Sequence, residues 1–334
     1  MAEKRIDSVR LQNIAQAYGR SAALMSAVEL GVFTAVSKGA DTVVAIAEAV
    51  DIHPVNGERL VTMLTAMDLL RRDAAGRYSN AEDVERFLVE GTPRYAGPWM
   101  LFTKPEWNDW GRLAEHLRAK ELSILGPIED FTVESARAYH EATYSIGMGA
   151  GRRFARQVDL PGRRKIMDLG GGSGAYCISA AKAYPEIEAV VLDLAPVVEV
   201  ARVFIAENGV AGRVTAKPCD FTADPFPTDA DVAIMASNLP MYGPETIQAV
   251  VQKAYDALLP GGEFHLVGET LNDARDGPIG PAYWGLGQAI DETLGVAHSE
   301  ADCVGYFRAA GFEDVEAIPF IPGSLSRIYG RKPA

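Results

Sequence analysis

Nine residues, Ile166 to Gly174 (IMDLGGGSG), limit what this chain can fold into. Two apolar residues and an acid run into three consecutive glycines, then Ser173, Gly174 and an apolar-patterned run able to form a helix. That order predicts a strand, a tight turn and a helix start, with glycines free to take positive φ and helix N–H groups unpaired for a ligand. A dinucleotide loop needs GxGxxG. Counted from Gly170 or Gly172, its last glycine falls on Ala175 or Cys177, so a pyrophosphate is disfavoured. Asp168 stands where a carboxylate repels phosphate but accepts an amino group. Asp193 closes the next apolar run, roughly 20 residues beyond the glycines, where an acid takes ribose hydroxyls. Acid, glycine loop and second acid together predict S-adenosylmethionine, an adenosine with an amino-acid cation and no phosphate. A bare structural turn is the alternative.

At 334 residues the chain exceeds the usual single domain, and 48% hydrophobic residues allow an ample core. No long apolar run or secretory h-region appears, so neither a membrane partner nor export is expected, and the location expected is cytoplasmic. Cys177, Cys219 and Cys303 lack CxxC spacing and the five histidines are scattered, so no metal is predicted. The net charge is −13. Beyond residue 120 there are 17 Lys/Arg against 29 Asp/Glu, a poor balance for a nucleic-acid partner.

Helical spacing from Ser8 to Ser37 predicts two amphipathic helices with a break at Gly31, followed by helices over 42–51 and 57–70. A turn at Ala74 to Gly76 between two short extended pieces completes a winged-helix arrangement over residues 1–90. The near-neutral charge of this part favours dimerisation or substrate covering over DNA binding. Residues 91–160 read as a helical linker and acceptor-pocket segment. Trp99 and Phe102 lie in an aromatic-rich stretch suited either to core packing or to the wall of an acceptor pocket. A helix over 133–157 follows, with Tyr139, His140, Tyr144 and Met148 on neighbouring turns.

From 161 to 334 strands and helices alternate: strands at 166–169, 189–193, 213–218, 231–237 and 263–269, helices at 173–184, 196–208, 244–258, 281–294 and 299–310. A closing pair at 313–319 and 325–331 reads as an edge hairpin. The fold class expected is a doubly wound, mostly parallel seven-stranded α/β sheet, with the ligand outside the carboxyl ends of the strands. Asp168, Asp193, Asp220 and Asn238 all fall there. Asp220 and Phe221 are candidates to hold an adenine.

Together with DLGGGSG, the VVLDL strand end, the CDF turn and ALLPGGEFHLVGE, the whole chain resembles the small-molecule O-methyltransferases that carry an amino-terminal dimerisation domain. The resemblance implies a homodimer, a class I methyltransferase sheet, a small-molecule acceptor, and S-adenosylmethionine bound by Asp168, Gly170, Gly172, Asp193, Leu194, Asp220, Phe221 and Ser237. One departure matters. Where the family places a His-Asp-Trp signature, this chain reads SNLPMYGPE, with Pro240 at the position of the base and Tyr242 at that of the tryptophan. A hydroxyl must lose its proton as it attacks, and a base is worth about 10²–10⁴-fold; a thioether sulfur or an electron-rich carbon needs none. The chain resembles in this respect the methylthiohydroxybutyrate S-methyltransferases of dimethylsulfoniopropionate synthesis and the bacteriochlorophyllide C-methyltransferases. Thioether methylation is favoured, because aromatic and Met side chains suit a small thioether and its sulfonium product. The catalytic residues expected are Tyr144, Asn238 and Tyr242, with Trp99, Phe102, Tyr139, Met148, Met241, Trp284 and Gln288 around the acceptor. His140 and His298 are the spare candidates for a base, and Arg152 or Arg153 for an acceptor carboxylate. O-methylation, and a metabolite-sensing winged-helix regulator on the same fold, are the remaining alternatives.

Overall fold

A computed structural model describes residues 6–334, which form two compact units divided between Pro105 and Glu106. The stretch 91–160, expected as a separate segment, is therefore shared between the two.

In the first unit the expected pair of helices is three: α1 (Val9–Ala15), α2 (Ala17–Glu29) and α3 (Val32–Ser37). Gly31 does break the run, at φ 71°, a conformation natural to glycine, and a further break falls at Gln16. Helices α4 (Val43–Ala49) and α5 (Pro54–Ala66) then lead into a two-stranded antiparallel wing, β1 (Leu70–Arg72) and β2 (Tyr78–Asn80). Thr42 caps α4 by accepting the Ala45 N–H at 3.2 Å, and Pro54 starts α5 where its missing N–H costs nothing. The core is Phe33, Ile46, Val61, Leu64 and Leu70, each at most 1% exposed. Helices α6 (Glu82–Phe87) and α7 (Gly97–Leu101) close the unit.

The second unit opens with the short helices α8 (Trp107–Gly111) and α9 (Leu113–His116), then α10 (Val133–Gln157). A reciprocal Thr132–Ser135 capping box fixes the start of α10. The sheet follows as β3 (Lys165–Leu169), α11 (Ala175–Ala183), β4 (Glu188–Asp193), α12 (Ala195–Glu207), β5 (Val214–Pro218), β6 (Val232–Ala236), α13 (Pro244–Ala257) and β7 (Glu263–Gly268). After a short strand β8 (Thr270–Leu271) come α14 (Ile279–Gly287), β9 (His298–Ser299), α15 (Glu300–Ala310), β10 (Glu313–Ile321) and β11 (Leu325–Arg331). The parallel β8–β9 pair was not legible in the sequence pattern. Nor does the helix expected over 281–294 run that far: it stops at Gly287, and turns replace it to Glu292. Ser123 pins those turns, its N–H donating to the Glu292 carbonyl at 3.0 Å and its carbonyl accepting from Leu294 at 2.8 Å.

Strand order is β10-β11-β7-β6-β3-β4-β5. The strands from β7 to β5 are parallel, and the β10–β11 hairpin joins β7 antiparallel, as expected. Near-continuous apolar burial along β3, β4, β6 and β7 is what a sheet covered on both faces requires. The chain leaves β3 toward β4 and β5, then returns to build β6 and β7 on the other side. The switch point therefore lies between β3 and β6, and in sheets of this order ligands bind outside the carboxyl ends at that point.

Helix α10 covers β3 through α11, and the approach is close because Gly151 carries no side chain. A Cβ there would lie 2.6 Å from the Ala175 carbonyl oxygen. Gly151→Ala should destabilise the protein by about 1–2 kcal/mol despite the better helix propensity of alanine, since overpacking outweighs it; urea unfolding measures this, and an unchanged or raised midpoint would contradict the tight contact.

Candidate active site

The glycine loop takes the form its residues require. Gly170, Gly172 and Gly174 have φ of 65°, 54° and 74°, and their missing side chains are filled space. A Cβ on Gly170 would lie 2.5 Å from Asn238 Nδ2, one on Gly171 2.7 Å from the Asp168 carboxyl carbon, and one on Gly172 2.6 Å from the His140 ring. The loop is thus wrapped by Asn238 from the end of β6, Asp168 from β3 and His140 from α10.

Asp168 is 1% exposed, and burial pushes its carboxyl up to about 7. Its Oδ2 accepts a weak bond from the Cys177 thiol at 3.5 Å, while the buried Oδ1 has no partner among the described residues. Asn238 donates through Nδ2 to the Leu169 carbonyl at 3.2 Å, and its buried Oδ1 likewise lacks a partner. Two orphaned acceptor oxygens at one loop are expensive unless a donor arrives there. Asp193 accepts the Gly172 N–H on Oδ2 and the Leu194 N–H on Oδ1, both at 2.8 Å, and burial raises its carboxyl to about 6. Each oxygen keeps a lone pair for a further donor. Asp220 uses Oδ1 to hold its own turn through Thr222, at 2.9 Å to N and 2.6 Å to Oγ1. Phe221 beside it stands edge-on to Tyr242, centroids 5.1 Å apart. Ser237 sits at φ 62°, a strained turn for a non-glycine residue. Donor-seeking Asp168, the Asp193 carboxylate and a glycine cradle fit S-adenosylmethionine, whose ammonium and ribose hydroxyls are donors.

The acceptor-side residues are placed less evenly. Tyr139 meets the His140 ring edge-on at 5.1 Å and Phe131 at 5.8 Å. Burial raises its phenol to about 12, helped by the carboxylates of Asp291, Glu269, Glu106 and Asp193. Tyr242 is buried, and burial holds its phenol protonated. Trp284 meets Tyr283 edge-on at 5.2 Å, and Tyr283 stacks on Trp110 at 4.9 Å. Met241 ends a 3₁₀ turn, Leu239–Met241. Gln288 is 8% exposed and accepts from Thr293 Oγ1 at 2.8 Å.

Others have neighbours of their own. Tyr144, expected to be catalytic, stacks on Phe204 of α12 at 4.2 Å, and its hydroxyl accepts from Asn208 at 2.6 Å. Helix packing, at the far end of α12 from Asp193, accounts for it. Met148 is buried in the core beneath the sheet, where Ser179 Oγ donates to its sulfur at 4.0 Å. Trp99 and Phe102 belong to the first unit and stack on each other at 5.2 Å. Arg153 lies over the Phe320 ring at 6.0 Å.

Neither spare histidine is poised as a base. His298 has both nitrogens engaged, Nε2 donating to the Tyr242 carbonyl at 2.9 Å and Nδ1 meeting the Tyr306 hydroxyl at 3.0 Å, and burial lowers its pKa. Burial takes His140 down to about 4, which makes it a weak base. The acids Glu269, Asp291 and Glu106 were not anticipated; burial raises all three. Glu269 follows the last residue of β7, so the strand-end rule that selected Asp168 and Asp193 reaches it too.

A family model for the O-methyltransferase domain matches residues 130–313, and one for the O-methyltransferase dimerisation domain matches residues 12–90. The chain is 29% identical over 332 residues to the 3-hydroxy-5-methyl-1-naphthoate 3-O-methyltransferase of Streptomyces sahachiroi, covering 96% of this chain and 94% of that one. It is 30% identical over 264 residues to the N,N-dimethyltransferase OxyT of Streptomyces rimosus, covering 75% of each. Human N-acetylserotonin methyltransferase, solved in complex with SAM, superposes over 100% of both chains with a TM-score of 0.83 at 23% identity. No helix among the described residues is long and apolar enough to cross a membrane. This chain is a methyltransferase of the O-methyltransferase family, with the family's amino-terminal dimerisation domain.

Proposed function

We propose that this protein, acting as a homodimer, transfers a methyl group from S-adenosylmethionine to the sulfur of a small thioether acid, 4-methylthio-2-hydroxybutyrate, in dimethylsulfoniopropionate synthesis. What carries this reading is the absence of a poised base after β6. That stretch offers Asn238, a 3₁₀ turn through Pro240 and a buried Tyr242, and the two histidines expected as alternatives are spent or weakly basic. The buried, unpaired Cys177, Cys219 and Cys303 suit a reducing compartment such as the cytoplasm.

Asp168 Oδ1 would take the cofactor's ammonium, Asp193 the ribose hydroxyls, and Asp220 with Phe221 the adenine. When bound, the cofactor supplies a methyl carbon on a cationic sulfur, open to attack by a neutral thioether. Methylating a hydroxyl removes positive charge once the proton leaves, whereas methylating a thioether only moves it to the acceptor. Glu106, Glu269 and Asp291 around Tyr139, with the aromatic faces of Tyr139 and Trp284, suit that retained charge. Asn238 orients the loop, and closure of the crevice against water supplies proximity.

A hydroxyl acceptor is the second reading, favoured by one observation: burial raises Glu269 and Asp291, which strengthens each as a base. Release of S-adenosylhomocysteine should occur with the thioether acid and not with a catechol. Turnover of the catechol that is lost in Glu269→Gln or Asp291→Asn would establish the second reading instead.

Cofactor binding needs ionised Asp168, so its affinity should fall as pH drops through about 7. Calorimetry should show up to about tenfold weaker binding per pH unit below that point, and Asp168→Asn should be weak at every pH; binding constant from pH 5 to 8 would contradict the assignment. Tyr144→Phe, at a packing position, should keep kcat within about threefold, whereas Asn238→Ala should lower it by about 10–100-fold. Steady-state kinetics at saturating cofactor decides, and the reverse pattern would restore Tyr144 to the site.

A further inference from the structure

Between β5 and β6 the chain forms neither strand nor helix, and this stretch carries Asp220 and Phe221. Much of its bonding is internal. The Asp220 carbonyl accepts the Ala223 and Asp224 N–H groups at 3.0 and 2.7 Å, and the Asp224 carboxylate accepts the Asp220 N–H at 2.9 Å. Bonds of this kind stiffen a turn without fixing where it sits. Cys219 holds its start, donating its N–H to the Asp193 carbonyl at 2.8 Å.

Lys253 of α13 supplies a second hold. Its Nζ donates to the Phe221 carbonyl and to the Asp224 carbonyl, both at 2.8 Å, and lies 4.6 Å from the centroid of the Phe226 ring. An ammonium has donors for both carbonyls and a charge that suits an aromatic face. The helix it extends from is itself anchored, because Ile247, Val250, Val251 and Ala254 are fully buried in one core with Leu169 and Met235 of the sheet. What the hold sets is the place of the Phe221 side chain. That ring is 7% exposed and edge-on to Tyr242, and a Cβ on Gly170 would lie 2.8 Å from its Cε1. The ring is therefore packed onto the glycine loop itself.

We infer that Lys253 is a positioning residue for the adenosine half of the cofactor, acting through the turn that presents Asp220 and Phe221 rather than by touching the ligand. The inference rests on the assignment of the adenine to that turn. Lys253→Met keeps the apolar stem and removes the donors, whereas Lys253→Arg keeps a cation with N–H groups for two carbonyls and a plane that stacks on a ring.

Calorimetric titration with S-adenosylhomocysteine and with 5′-methylthioadenosine, which has the adenosine but no amino-acid end, tests this, with the Tm of each variant measured alongside so that folded protein is titrated. Lys253→Met should weaken both ligands by the same factor, about 10–30-fold, and Lys253→Arg should bring both back to within about threefold of the unaltered protein. A loss confined to S-adenosylhomocysteine, binding by Lys253→Met within about twofold of the unaltered protein, or an arginine variant as weak as the methionine one would overturn the inference. Phe221→Ala leaves the main-chain carbonyl for Lys253 and so tests the assignment beneath. Weak binding there with normal binding in Lys253→Met would remove the role of Lys253 alone, and normal binding in Phe221→Ala would remove the adenine assignment and the inference with it.

Discussion

A carboxylate taken out of water with one oxygen unpartnered is the constraint on which the active end of this protein turns. Asp168 sits at the end of the central strand, at the point where the sheet's order reverses, and the glycines after it allow no side chain between it and a ligand. Burying such an oxygen without a donor costs free energy. A ligand ammonium placed there would recover that cost, which is why Asp168 is the group proposed to take it. Asn238 repeats the arrangement at the same loop, tied to β3 by one bond and with its buried Oδ1 lacking a partner among the described residues.

The proposed acceptor side carries buried acids and no poised histidine. Glu106, Glu269 and Asp291 act electrostatically on Tyr139, and burial raises the pKa of all three. A cationic centre nearby would favour their charged form, which is the electrostatic form of a preference for a product that keeps its charge. The His140 ring, held neutral over Gly172, contributes shape to the loop and little basicity.

Much of this was legible in residues alone. Strand, triple glycine and helix start are encoded locally, and Asp168, Asp193 and Asn238 follow from position at strand ends. Tyr144 shows where local pattern stops: helical spacing puts it one turn from His140, but which neighbour covers that turn depends on α12, and Phe204 with Asn208 claims the side chain. Met148 went the same way, toward the core. Asp291 was hidden because the apolar spacing of 281–294 reads as helix throughout, whereas the bonds to Ser123 that turn the chain there are made across the fold. Glu269 needed only the strand-end rule applied once more.

The most direct test of methyl transfer without a base is the pH dependence of kcat with both substrates saturating. With no proton to remove, kcat should vary by less than about threefold between roughly pH 6 and 9. An acid limb in which log kcat rises with slope one would mean that a group must lose its proton before the methyl moves, and would contradict the account.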